Sequence, residues 1–135
     1  MKKKIRGGRN MAKKRVMIID DEEDFLKITK INLERTGKYE VEVISDATGI
    51  VAWIKLFNPD LVLLDILMPK VDGHEVCKML NGDPVGRQTP IIVLSALDTD
   101  KDKLMMYKLG IVDYLVKPIE KDDLIAKIDK ALQYK

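Results

Sequence analysis

Asp20, Asp21, Asp65, Ser95 and Lys117 are the residues of this 135-residue chain whose types and positions together permit chemistry. Each group directly follows a short apolar run: Val16-Met17-Ile18-Ile19, Leu61-Val62-Leu63-Leu64, Ile91-Ile92-Val93-Leu94 and Tyr114-Leu115-Val116. Carboxylates brought together repel and raise one another's pKa. A hard divalent cation relieves that conflict, and Mg²⁺ takes oxygen ligands while keeping several of its waters. Such a cation neutralises charge on an incoming phosphoryl group and leaves one carboxylate free to attack. A hydroxyl donates a hydrogen bond to a phosphoryl oxygen, and a lysine supplies a compact counter-charge.

These residues meet only if the runs before them are neighbouring strands pointing the same way. In an open α/β sheet, function gathers at the carboxyl ends of the strands. The runs ending at Ile19, Leu64 and Leu94 are continuously apolar, as central strands of a parallel sheet covered on both faces must be. Residues 39–44 form a further run with looser alternation. Helical segments fill the gaps: 21–36, acidic at its start and followed by Gly37; 47–57, stopping before Asn58-Pro59; 72–80, before Asn81-Gly82; 99–109, ending at Gly110; and 120–134, after Pro118. The order is (βα)₅, an α/β doubly wound fold with right-handed crossovers and helices on both faces. Residues 81–89 read as the longest loop, carrying Gly82, Pro84 and Gly86.

Asp20-Asp21 after an apolar strand, Asp65-Ile66-Leu67-Met68-Pro69 with Asp72-Gly73, Ser95-Ala96, and Tyr114-Leu115-Val116-Lys117-Pro118 together resemble the response-regulator receiver domain, the CheY-like module of two-component signalling. The resemblance runs from residue 14 to residue 134. Each piece alone is weak, but all four in order at strand ends are specific. The resemblance implies a flavodoxin-like five-stranded sheet of order 2-1-3-4-5. It implies that Asp65 is the phosphoacceptor. Asp21 and Asp65 would bind Mg²⁺ directly, with the Leu67 backbone carbonyl as a third protein ligand, and Asp20 would hold a metal-bound water. Ser95 and Lys117 would grip the phosphoryl oxygens. Tyr114 would be the switch aromatic that turns inward when Ser95 is drawn to the phosphate, and Ala96 is small enough to leave the phosphoryl group access. Ser95 stands where threonine is common and keeps the hydroxyl. Ile119 replaces a frequent phenylalanine, which is read as a packing change, and Leu67 is an apolar neighbour of the acceptor.

The implied donor is a sensor histidine kinase or phosphotransfer protein of the cytoplasm. The chain itself is expected to be a switch and not an enzyme, promoting only its own phosphorylation and dephosphorylation. Output is expected in trans, by protein contact, because no DNA-binding segment follows the last helix. The surface for it would be 99–109, Tyr114 and 120–134, where Lys103, Asp113 and Lys127 are candidates for pairs across a homodimer. Two other classes compete. An aspartyl-phosphate phosphohydrolase typically carries a second Asp two residues after the acceptor, and here that position is Leu67. A flavodoxin-like cofactor binder needs a phosphate loop rich in Ser, Thr and Gly after its first strand, and here that loop is Asp20-Asp21-Glu22-Glu23-Asp24. A phosphorylation-independent interaction module is a further alternative.

Bland readings exist for each residue: Asp20 as a helix cap, Asp65 as a turn residue, Lys117 as a solvated loop lysine, Tyr114 as plain core. Their joint occurrence on one rim is what argues against chance. Asp98, Asp100 and Asp102 lack the glycine and terminal glutamate of a calcium loop and read as a solvated cap. His74, the only histidine, is read as surface or loop-facing. In 47–57, Ala47, Ile50, Val51 and Ile54 make one stripe for the sheet, and Trp53 and Phe57 are expected to pack under a neighbouring element. Cys77 is the single cysteine, so no internal disulfide can form; it is read as a buried thiol in a reducing compartment.

Charge divides the chain. Eight of its 24 basic residues fall within residues 1–15, which hold no acid, while the rest face 22 acids. Residues 1–13 are read as a basic, disordered tail, and 14–135 as the receiver domain. No apolar run approaches the roughly 20 residues of a membrane span.

Overall fold

The computed structural model describes residues 13–69 and 71–133. The expectation of a disordered tail falls, apart from Lys13, outside the described residues. Strands β1 (Lys14–Ile19), β2 (Tyr39–Ile44), β3 (Leu61–Leu64), β4 (Ile91–Ser95) and β5 (Asp113–Val116) form one sheet in the order β2-β1-β3-β4-β5, all parallel. Every residue of β3 and β4 is buried, and so is β1 after Lys14. That burial on both faces is why these runs are continuously apolar. The edge strand β2 places Glu40 and Glu42 at half-buried positions, which accounts for its looser pattern.

Two cores flank the sheet. Val16, Ile18, Leu63 and Leu94 meet Leu26 and Leu33 of α1 (Glu23–Glu34) and Leu124 and Ile128 of α6 (Lys121–Gln133). On the other face Met17, Ile19, Val62 and Leu64 meet α2 (Ile50–Phe57), α3 (Gly73–Asn81) and, through Met106, α5 (Asp100–Lys108). Cys77 is fully buried in this second core. The alternating strand residues thus feed opposite cores, as a pleated strand requires.

The structure corrects the reading in three places. Residues 81–89 are not a plain loop, because α4 (Pro84–Gln88) lies within them. Its start is built from Asp83, whose side chain accepts from the Val85 and Gly86 amides, and from Pro84 in the first turn, a position proline suits because its missing N–H is not needed there. The second helix begins at Ile50, after Gly49 in the left-handed region (φ 73°), and not at 47, although Ala47 is still buried. Phe57 packs inside, with the Arg15 guanidinium over its ring, but Trp53 and Leu56 face outward.

Candidate functional site

The parallel ladders run on past the strands and pin the polar residues that follow. The Asp20 amide donates to the Ile44 carbonyl (3.1 Å), the Asp65 amide to the Ile19 carbonyl (2.9 Å) and the Lys117 amide to the Ser95 carbonyl (2.8 Å). The sheet order reverses between β1, whose helix α1 covers one face, and β3, whose helix α3 covers the other. Ligands of open α/β sheets bind at such a crevice, and Asp20 and Asp65 stand on its two sides.

Asp20, Asp65 and Ser95 are buried, whereas Asp21 is exposed. One carboxylate oxygen from each of Asp20, Asp21 and Asp65 lies within 4.8 Å of the others. Three hard oxygen donors at that spacing, one open to solvent, fit a small divalent cation that keeps part of its water. Turns hold the carboxylates in place: Asp20 Oδ1 accepts from the Glu22 amide and Asp65 Oδ1 from the Leu67 amide, each at 2.9 Å.

Lys117 reaches into this group from the end of β5. Its Nζ donates to Asp20 Oδ2 (2.7 Å) and Glu22 Oε1 (2.9 Å), lies 3.6 Å from Asp65 Oδ2, and sits 4.2 Å from the centroid of the Phe25 ring. Burial pushes the Asp20 carboxyl above the usual range, opposed by Lys117 and the Glu22 amide. Burial also works to lower the Lys117 ammonium, but its bonds to Asp20 and Glu22 win and hold it above its ordinary value. Lysine is therefore the charged partner of this cluster throughout the physiological range. The peptide bond from Lys117 to Pro118 is cis.

Ser95 and Tyr114 share Leu97 as a hydrogen-bond partner. Ser95 Oγ accepts from the Leu97 amide (3.3 Å), and the Tyr114 hydroxyl donates to the Leu97 carbonyl (2.9 Å). Tyr114 is buried, and that burial raises its hydroxyl pKa. Thus all the residues singled out at strand ends lie on one rim, together with the 95–97 turn. Leu67 contributes its amide to Asp65, and its side chain faces solvent. Sequence reasoning missed the roles of Glu22 and Phe25, which surround the lysine; the run of five acids after β1 was the only sign. All three residues suggested for pairing across a dimer are already engaged within the chain, Lys103 with Asp98 (2.7 Å) and Lys127 with Asp113 (3.9 Å). His74 is half-buried, its Nδ1 2.7 Å from Asp72, and the 98–102 acids surround Thr99, which caps α5 through the Asp102 amide.

The flavodoxin-like sheet with an acidic rim and a lysine across it defines the CheY-like class. The family model of the response regulator receiver domain matches residues 16–129, and the chain belongs to that family, the receivers of two-component signalling. Among curated relatives it is 36% identical to the alkaline phosphatase synthesis transcriptional regulatory protein PhoP of Bacillus subtilis and 35% identical to the DNA-binding dual master transcriptional regulator RpaA of Synechocystis. These alignments cover 89% and 88% of this chain but 49% of each relative, so the chain spans about half their length. Among solved structures, a CheY-like receiver domain protein of Methanospirillum hungatei superposes with a TM-score of 0.83 at 29% identity, covering 90% of this chain and 95% of that one. The receiver domain of Francisella response regulator 1452 gives 0.80 at 30% identity, over 90% and 98%.

Proposed function

We propose that this receiver takes a phosphoryl group on Asp65 from a phosphohistidine of a sensor kinase or phosphotransfer protein. The observation that carries the reading is the convergence of Asp20, Asp21 and Asp65 with Lys117 at the crevice between β1 and β3. In the transfer an Asp65 carboxylate oxygen forms a bond to phosphorus, the donor's N–P bond breaks, and the imidazole leaves with the electron pair. The Leu67 amide holds Oδ1 of Asp65, which turns Oδ2 toward Lys117. Asp21 and Asp65, with the Leu67 carbonyl, would hold Mg²⁺ directly and Asp20 would hold one of its waters. The bound ion supplies charge neutralisation at the phosphoryl oxygens. Lys117 adds a second positive charge from the other side. Ser95 releases the Leu97 amide and donates its hydroxyl to a phosphoryl oxygen.

That last motion couples the site to the surface. Leu97 is bonded both to Ser95 and to Tyr114, so drawing Ser95 inward disturbs the support of the Tyr114 hydroxyl. The phosphoryl group then shifts the population between two arrangements of Tyr114. Leu104, Met105 and Tyr107 of α5 are exposed beside it, and they support a protein-binding output on the face of α5, β5 and α6. The chain acts as a switch and promotes only its own phosphorylation and dephosphorylation. Among the described residues no helix is long and apolar enough to cross a membrane, and a cytoplasmic place beside the kinase suits the free thiol of Cys77.

Incubation with a small-molecule phosphodonor and Mg²⁺, read by intact mass, tests the reading. The expected result is one added phosphoryl group that is absent with chelator and absent in Asp65→Asn. Equal gain in the variant would refute it.

A further inference from the structure

We infer that Glu22 is a latch on Lys117, a positioning residue that the phosphoryl group must outcompete before the lysine can reach it; this rests on Asp65 being the acceptor. Lys117 makes two contacts below 3 Å on the Asp20–Glu22 side and only the 3.6 Å approach to Asp65. Of its two close partners, Asp20 is buried and fixed by the Glu22 amide, while the Glu22 side chain is 63% exposed. Glu22 is therefore the partner that water can replace, and the one whose loss strands no buried charge.

A second feature points the same way. Glu22 occupies the N-cap of α1 with extended backbone (φ −86°, ψ 103°), yet its side chain makes no capping bond. Ser, Thr, Asp or Asn at such a position would bond the amides of the first turn. Glutamate is one methylene too long for that role, and its carboxylate reaches across to Lys117 instead. The helix start is left uncapped by the side chain that restrains the lysine.

Glu22 thus weakens the grip of Lys117 on the phosphoryl group. Without it the resting lysine swings toward Asp65, and a phosphoryl-like ligand is held more tightly. Two substitutions separate contact from charge. Glu22→Gln removes the charge, and Glu22→Asp keeps the charge, loses the reach and supplies a good cap.

The test is binding of beryllofluoride, a phosphoryl mimic for carboxylates, at saturating Mg²⁺, followed by the bound fluorine signal in NMR, with melting temperatures alongside. Both Glu22 variants are expected to bind about two- to fivefold more tightly than wild type, the range an exposed ion pair is worth. Glu23→Gln, which removes a neighbouring charge, should leave the affinity unchanged, and Glu22→Asp should melt no lower than wild type. Wild-type affinity in Glu22→Gln would overturn the latch, as would tightening in Glu22→Gln but not in Glu22→Asp, or equal tightening in Glu23→Gln. If the wild-type protein itself bound no beryllofluoride, the acceptor reading would fail and the latch with it.

Discussion

Lys117 is the residue on which the resting site depends. It faces Asp20, Glu22 and Asp65 at once, and no other cation among the described residues is placed within salt-bridge distance of Asp20 or Asp65. Replacing it by alanine leaves the buried Asp20 carboxylate without its charged donor, which costs about 1–3 kcal/mol of stability in chelator. The same change removes a positive charge from the acidic cluster that would hold a cation. Mg²⁺ affinity is accordingly expected to rise by about tenfold in Lys117→Ala, read by calorimetric titration, with the lost stability regained on adding the metal. Unchanged or weaker Mg²⁺ binding would show that the lysine does not oppose the cation. The carboxylates and the lysine were legible from their places after apolar runs. The partnership of Glu22 and Phe25 with Lys117 was not, because it joins the start of α1 to the end of β5 and leaves no spacing signal.

At the scale of elements, one close approach and one helix cap hold the rim in shape. A Cβ added at Gly73 would meet the Ile66 Cα at 2.2 Å, and Ile66 directly follows Asp65. Gly73→Ala must push backbone apart and is expected to cost about 1–3 kcal/mol. Because the displaced segment carries Asp65 and Leu67, phosphorylation should slow in the same variant; denaturation and mass measurements on one sample check both. Asp72 caps α3 by accepting from the His74 amide at 2.9 Å. That amide, with the His74 ring, holds the Asp72 carboxyl below its usual range. The unfolded chain therefore takes up the proton first as pH falls. The cap's contribution is complete above the unfolded carboxyl pKa of about 3.9 and disappears as pH drops through the lower folded value. Asp72→Ala should cost about 0.5–1 kcal/mol at neutral pH, the lower part of the capping range because this carboxylate is more than half exposed. In urea titrations the difference should vanish in strong acid; a deficit that persists there would assign the loss to packing.

Element legibility followed the physics of each signal. β1, β3 and β4 are apolar because both faces are covered, so the sequence pattern and the burial are one fact. The short helix α4 escaped because Gly82, Pro84 and Gly86 give residues 81–89 the composition of a loop. Its true signal was Asp83-Pro84, a cap followed by a first-turn proline. Gly86 is needed there, since a Cβ would stand 2.4 Å from the Leu80 carbonyl oxygen. Trp53 and Phe57 sit four residues apart on one short helix, yet only Phe57 found cover, under the Arg15 guanidinium. Which flank of a helix is covered depends on a strand forty residues away, and helical periodicity does not contain that.

For the molecule as a whole, the sheet order sets the function. Helices α1 and α6 close one core and α2, α3 and α5 the other, so the chain changes face between β1 and β3 and leaves the crevice that Asp20 and Asp65 line. The parallel direction of all five strands gathers their polar ends on one rim. Ser95, Leu97 and Tyr114 form a hydrogen-bonded connection between that rim and β5. The proposed covalent event falls on Asp65 and nowhere else. Its most direct measurement is to phosphorylate the protein with Mg²⁺ and a small donor, reduce the acyl phosphate with borohydride, and locate the resulting homoserine by peptide mass. Homoserine at position 65 alone is the predicted result. Homoserine at Asp20, Asp21 or any other carboxylate, with none at 65, would contradict it.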